Sequence, residues 1–407
     1  MSLLISVSFL WTILLTNHIS WKEALHRLED AALEYAQDNV FEQGVHLSQN
    51  PPLWPTTTVF SKRDREQPPF NQLACFRIPS LVRVNNHTLV AFAEARTPSC
   101  ADCSTTAIVQ KTSTDSGVSW NPIKYVVPPV DIGANPTSVY DKQKNRILLY
   151  YVRGMSYDPE SNESICSPGA TNWLIESYDD GRSWSNPINI TESLGDYRGG
   201  LPGPGNAVQL DSGRIVIPIH YGTAERLWGN DVVMWTDDGL EYSMSETHFK
   251  GMDEASIVES NETLIMWMRN AHNTDCACKA RSLSFDNGTS WSDPTFDPQL
   301  MDPICQGSAS VSSTGQLVYV GPRFKYARSR LTLWYKSAEQ IGAINDWKVV
   351  NITDASVYTD YSSVVADMYS QEYGHHFGVL WGNCAVPFPF RVWCMEDWGI
   401  SYSHVQI

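Results

Sequence analysis

Two cysteine pairs lie close enough in sequence to share a metal, Cys100-x-x-Cys103 and Cys276-x-Cys278. Paired thiolates suit tetrahedral zinc, but a structural zinc site needs a second half at similar spacing, and neither pair has one. They read instead as disulfides or plain thiols. The chain has nine Cys, so at least one is free or pairs with another chain. The ten His show no metal-ligand spacing and read as structural or surface residues. The formal net charge is -16. That disfavours a nucleic-acid partner, which calls for a basic face. It also means that any anionic substrate must be drawn in by a local cluster of Arg, against the field of the whole molecule. Taken alone, an Arg after a Phe, as in Phe76-Arg77, reads as a surface or ion-paired residue, and Glu94 reads as an ion-pair partner.

The elements that would hold such residues are short and numerous. Of the 407 residues, 42% are apolar and 18% charged, which suits a large core and argues against disorder. After about residue 73, short β-like runs alternate with turn signals. The runs are Thr88–Ala93, Ala107–Lys111, Ile147–Val152, Ile215–His220, Val232–Trp235, Thr263–Met268, Leu317–Gly321, Leu331–Tyr335 and Phe377–Leu380. Long helical patterns are missing there, which predicts an all-β architecture.

A repeat narrows the prediction. Ser113-Thr-Asp115-Ser-Gly117-Val-Ser-Trp120 recurs as Ser177-Tyr-Asp179-Asp-Gly181-Arg-Ser-Trp184 and Ser284-Phe-Asp286-Asn-Gly288-Thr-Ser-Trp291. A degraded copy is Trp235-Thr-Asp237-Asp-Gly239-Leu-Glu-Tyr242, and a fainter one falls at Ser337–Trp347. Gly supplies the positive φ of a tight turn, Asp bonds backbone N–H groups, and Trp covers the neighbouring strands. The copies are spaced by roughly 50 to 65 residues, the length of a four-stranded propeller blade, so about six blades fit. The motif is an Asp box. It predicts a six-bladed β-propeller of antiparallel blades, and the role read for its Asp residues is structural.

Upstream of the first box stands Cys75-Phe76-Arg77-Ile78-Pro79-Ser80. Phe-Arg-Ile-Pro ahead of Asp boxes resembles the exo-α-sialidases. Further motifs resemble the animal, lysosomal-like branch. These are Ala91-Phe-Ala-Glu-Ala-Arg96 followed by Asp102, Pro202-Gly-Pro-Gly205, Met268-Arg-Asn270 with Cys276-x-Cys278 after it, Phe296-Asp-Pro298 with Met301-Asp-Pro303, and Leu331-Thr-Leu333. The resemblance runs from about residue 73 to about 380. It implies an exo-α-sialidase that removes terminal sialic acid from glycoproteins, oligosaccharides or glycolipids. The sugar's carboxylate would be held by Arg77, Arg269 and Arg328, with Arg323 and Arg330 as rivals for the third place. Planar guanidinium groups suit that task. Arg96 would contact the sugar's polar substituents. Most glycosidases pair two carboxylates, whereas sialidases use a Tyr nucleophile. By resemblance that is Tyr361 in Asp360-Tyr-Ser-Ser363, with Tyr358 as rival. Glu254 would take its proton and Asp102 would be the general acid/base, giving retention. No metal or organic cofactor is called for.

One departure bears on activity. The resemblance implies a carboxylate near the C-terminus, buttressing Arg77 after a hydrophobic strand. Here Phe377-Gly-Val-Leu-Trp381 is followed by Gly382. Glu372 and Glu396 are candidate substitutes. The expectation is an Arg77 less firmly held, which keeps open a sialic-acid-binding lectin with weak or no catalysis; a trans-sialidase, which needs an acceptor platform beside the site, is a separate alternative. Residues 1–20 read as a signal peptide or signal anchor, 21–50 as an amphipathic helix, 51–72 as a linker with a closing strand at Thr56–Ser61, and 73–407 as the propeller. Six Asn-x-Ser/Thr sequons (Asn86, Asn162, Asn189, Asn261, Asn287 and Asn351) join the leader in pointing to the secretory route, with a lysosomal or extracellular destination. Membrane attachment is expected only if the leader is uncleaved, and homo-oligomerisation is left open.

Overall fold

A computed structural model of the chain describes residues 54–102, 104–129, 133–154, 170–197, 199–223, 226–272, 276–325, 327–340, 346–354, 357–368, 375–384 and 398–407. The leader, the helix predicted at 21–50, Cys103, Asn162, Glu372 and Glu396 lie outside the described residues. Trp54–Phe324 and Arg328–Ile407 form one compact unit.

Six sheets follow one another along the chain. The first blade is Cys75–Arg83, Leu89–Thr97, Thr105–Ser113 and Lys124–Val127. The second is Gly133–Asp141, Arg146–Arg153, Thr171–Ser177 and Ile188–Asn189, with Gly205–Asn206 added parallel to its inner strand. The third is built on Ile215–Thr223, Arg226–Thr236 and Ser243–Lys250, and Leu201–Pro202 and Val208–Gln209 pair with the first of these. The fourth is Asp253–Ser260, Thr263–Arg269, Cys278–Ser284 and Thr295–Met301. The fifth is Ser308–Val311, Gln316–Pro322, Leu331–Ser337 and Lys348–Asn351. The sixth joins Tyr358–Ala366, His376–Cys384 and Trp398–Gln406 to Thr56–Phe60 from the other end of the chain. That antiparallel pairing, with Thr56 opposite Ser403, closes the ring.

Each junction between neighbouring blades holds its own apolar cluster. Val90, Phe92 and Ile108 of the first blade meet Ile147, Leu149 and Tyr151 of the second. The sixth meets the first through Phe60, Leu380, Ile400 and Tyr402 against Phe76, Leu81 and Ala91. The four remaining junctions repeat the pattern. Apolar burial between blades is therefore distributed around the ring.

The inner strands read poorly in sequence because serine, not apolar side chains, joins them. Ser80 Oγ lies 2.7 Å from Ser138 Oγ, Ser363 Oγ accepts from Leu81 N at 2.9 Å, Ser308 Oγ lies 3.0 Å from Ser362 Oγ, and Ser256 Oγ accepts from Ala309 N at 2.9 Å. Buried hydroxyls here satisfy backbone groups around the axis.

The Asp boxes behave as their residue types require. Asp115 accepts from Ser119 N at 2.9 Å and from Ser119 Oγ at 2.6 Å, and Ser113 Oγ accepts from Gly117 N at 2.8 Å. Gly117, Gly181 and Gly288 have φ of 90°, 79° and 85°. In the degraded copy the register moves by one residue. Thr236 takes the Ser role toward Gly239 N, and Asp238 accepts from Leu240 N and Glu241 N. Asp237 instead pairs with Arg214. Each full box follows the end of a third strand, whereas Arg77 and Glu254 begin first strands. The boxes thus sit at the opposite end of the blades from Arg77 and Glu254.

Candidate active site

Several inner strands carry a local irregularity near their start, and three of these aim a chemistry-bearing side chain inward. Register shifts between Arg77 and Ser80, where Ile78 has φ 54°. It shifts between Asp253 and Ala255, where Glu254 has φ 47°. It shifts again between Thr359 and Ser362, around Tyr361. Such bulges re-aim side chains that a regular strand would send to alternate faces. Positive φ at Ile and Glu is strained and persists where surrounding structure enforces it.

Tyr361 is at the centre of the cluster and buried. Its hydroxyl donates to Glu254 Oε1, and Arg269 Nη1 lies 3.1 Å from it. Arg269 also donates to Glu254 Oε2, and its Nε pairs with Asp253 Oδ1 at 3.3 Å. The guanidinium carbons of Arg77 and Arg328 lie 5.9 Å and 5.6 Å from the Tyr361 ring centroid. Arg77, Arg269 and Arg328, from the first, fourth and fifth blades, therefore surround one phenol. Of the three Arg between Pro322 and Leu331, Arg328 is the one placed over that ring. The rival Tyr358 packs edge-on against Trp398 at 5.0 Å.

Asp102 stands at the mouth with its side chain 74% exposed. Its Oδ1 accepts from Arg77 Nη1 at 2.7 Å and from Arg96 Nη1 at 2.8 Å. Arg96 is buried and held by Glu94, which also accepts from Asn135 N. Glu94 is thus the ion-pair partner its sequence context suggested. The disulfide Cys75–Cys100 ties the loop carrying Asp102 to the strand carrying Arg77. Cys276 and Cys278 are also disulfide-bonded, and Cys305 is a buried free thiol.

The expected weakness beside Arg77 is absent. Asp360 Oδ2 accepts from Arg77 Nε at 3.2 Å and Nη2 at 2.6 Å, and its Oδ1 accepts from Arg328 Nη1 at 2.7 Å. Sequence reasoning passed over Asp360 although it adjoins Tyr361. It also passed over Asp231 and Asp253, which lie near the same cluster.

The charges are sharply partitioned. Burial, then the Glu254 charge, push the Tyr361 hydroxyl well above the ordinary phenol range. Burial alone would raise Glu254, but Arg269, His220 and the Tyr361 hydrogen bond outweigh it and hold the carboxyl low. Asp360 is buried too, and Arg77 and Arg328 hold it low. Desolvation at the mouth would raise Asp102, but Arg77 and then Arg96 outweigh it and keep it well below the carboxylate range. Asp253 is pushed up to about 7, first by burial. Asp231 is fully buried with neither oxygen hydrogen-bonded, and burial raises it far above its usual range, which favours the neutral acid. A neutral phenol beside an ionised base, within a ring of guanidinium groups, can lose its proton on attacking an electrophile that carries an anionic group.

A cavity of about 780 Å³ lies elsewhere, lined by residues such as Arg83, Lys142, Asp211, Glu259, Ser312 and Asp367, and includes none of these site residues. Among the described residues, no group of three or more His, Cys, Asp or Glu could hold a metal ion.

Comparison with known proteins gives the chain a family. The BNR repeat-like domain matches residues 128–403. An exo-alpha-sialidase of Aspergillus fumigatus is 30% identical over 35% of this chain and 40% of its own length. Sialidase-3 of Mus musculus is 26% identical over 64% of this chain and 67% of its own length. The chain thus spans less than half of the first of these relatives. The solved structure of the Hadza microbial sialidase Hz136 superposes with a TM-score of 0.67 at 19% identity, covering 83% of this chain and 66% of that one. The chain belongs to the BNR repeat-like domain family and has the propeller fold of the sialidases.

Proposed function

We propose that the chain is an exo-α-sialidase of the animal, lysosomal-like branch, acting on sialylated glycoproteins, oligosaccharides or glycolipids with retention of configuration. The observation that carries this reading is the Tyr361 hydroxyl bonded to Glu254 amid Arg77, Arg269 and Arg328. A carboxylate nucleophile would be repelled by an anomeric carbon bearing a carboxylate, and a neutral phenol avoids that repulsion.

The substrate carboxylate displaces Asp102 from Arg77 Nη1. Tyr361 Oη bonds to the anomeric carbon as the glycosidic C–O bond breaks. The phenolic proton passes to Glu254, and a proton on Asp102 passes to the leaving oxygen. In the second step water attacks that carbon and gives its proton to Asp102. The C–O bond to Tyr361 breaks, and Glu254 returns the proton to the phenol. Two inversions give retention. Arg96, held by Glu94, contacts the sugar's polar substituents.

Turnover of a fluorogenic sialoside at acidic to neutral pH tests the reading. Tyr361→Phe is expected to lose at least about a thousandfold in kcat, and Glu254→Gln about a hundredfold or more. No turnover by folded protein, or a Tyr361→Phe variant as active as wild type, counts against it. Adding lactose to the assay separates transfer from hydrolysis. A lectin reading loses its motive, because it rested on an unsupported Arg77.

The route through the secretory pathway is part of the proposal. It is supported by the two described disulfides and by exposed sequon residues Asn86, Asn189, Asn261, Asn287 and Asn351. No helix among the described residues is long and apolar enough to cross a membrane.

A further inference from the structure

We propose that Asp360 is the residue that positions Arg77 and Arg328 for the substrate carboxylate, and that Gly382 is glycine in order to admit it. The inference rests on the sialidase reading above. Two guanidinium groups from different blades repel each other, and each has a flexible stem that orders at an entropic cost. One buried carboxylate meets both. Its Oδ2 receives two Arg77 donors and its Oδ1 receives Arg328 Nη1. Arg328 is fixed a second time through Nη2 to Ile304 O at 2.7 Å. Asp360 is 1% exposed and both its carboxylate oxygens are taken up by the two arginines. It acts through the two arginines.

The register shift between Thr359 and Ser362 lets Asp360 and Tyr361 both face the arginines, although consecutive strand residues normally point to opposite faces. Across the sheet, Thr359 pairs with Asn383 and Ser362 with Trp381, so Gly382 lies opposite the bulge. A Cβ at 382 would stand 3.1 Å from the Asp360 Cβ. Gly382 is not among the glycines with positive φ, so its backbone does not require glycine. The requirement is room. A side chain on 382 would enter the volume that Asp360 uses, which makes the two positions alternative sources of one carboxylate.

A four-variant cycle tests this: Asp360→Asn, Asp360→Ala, Gly382→Glu and the Asp360→Ala/Gly382→Glu double. Sialoside kinetics are read beside inhibition by N-acetylneuraminic acid and by its methyl ester, and thermal unfolding checks that each variant folds. Asp360→Asn keeps the side chain's shape. It is expected to lose about a hundredfold in kcat/KM, mostly through KM. It is also expected to lose the preference for acid over ester, which a merely structural residue would leave intact. Gly382→Glu alone weakens acid binding more than ester binding, because two carboxylates then crowd one space. In the Asp360→Ala background the same change recovers at least about tenfold of the lost kcat/KM. An active Asp360→Asn that keeps the wild-type acid preference, or a Gly382→Glu equally harmful in both backgrounds, overturns the inference alone. If the Asp360 variants unfold, Gly382→Glu still decides, since unchanged acid-to-ester selectivity there overturns it. Wild type with neither sialoside turnover nor acid preference overturns the sialidase reading, and the inference with it.

Discussion

Under the proposed mechanism Asp102 must do two things that conflict in the arrangement seen here. As general acid it must carry a proton, yet Arg77 and Arg96 hold its carboxyl low against the desolvation that would raise it. In that mechanism substrate resolves the conflict by taking Arg77 and leaving Arg96 as the nearer cation. The carboxyl of Asp102 then rises in the complex. An acid with a low pKa loses its proton at low pH, and raising that pKa keeps the protonated form to higher pH. The alkaline limb of kcat, which reports the complex, is therefore expected at higher pH than that of kcat/KM, which reports the free enzyme. Paired pH–rate profiles check this, and coincident limbs count against displacement of Asp102. Asp360 illustrates what was illegible at this scale. Its partners Arg77 and Arg328 are 283 and 32 residues away, and no local pattern marks it.

At the scale of elements, the Asp boxes and the inner-strand bulges divide the work. A box closes its own turn through bonds spanning a few residues. Asp286 accepts from Ser290 N and Oγ, and Ser284 Oγ accepts from Gly288 N. Because these bonds are local, the repeat could be read directly. Removing Asp286 as Ala is expected to cost about 1–2 kcal/mol, the worth of one or two such bonds. Thermal unfolding is expected to show a loss of a few degrees, while kcat/KM stays at the wild-type value because the box is at the far end of its blade. A large kinetic effect would contradict that placement. The bulges at Ile78, Glu254 and Tyr361 were not legible. They lie in strands whose lateral contacts are serine hydroxyls, and nothing in a short window distinguishes these from loop.

At the scale of the molecule, stability rests on six apolar junctions and one closure. Phe60 is wholly buried at the closure and packs against Phe76 with ring centroids 5.5 Å apart. Phe60→Ala is expected to cost about 3–5 kcal/mol, read as a lower midpoint in denaturant at unchanged slope. Phe285, 72% exposed on an Asp box, is expected to change stability by no more than about 0.5 kcal/mol as Ala. Equal effects would mean that the closing strand contributes little.

The sequence by itself determined the propeller, because turn chemistry recurring at blade length is local and periodic. By resemblance it also ordered Arg77, Asp102, Glu254, Arg269, Arg328 and Tyr361 as candidates. Only the tertiary structure decided that these residues from four blades meet in one cluster around the Tyr361 phenol. Only the tertiary structure showed that a carboxylate still stands beside Arg77, because the bulge and the space left by Gly382 are relations between strands and are invisible along the chain.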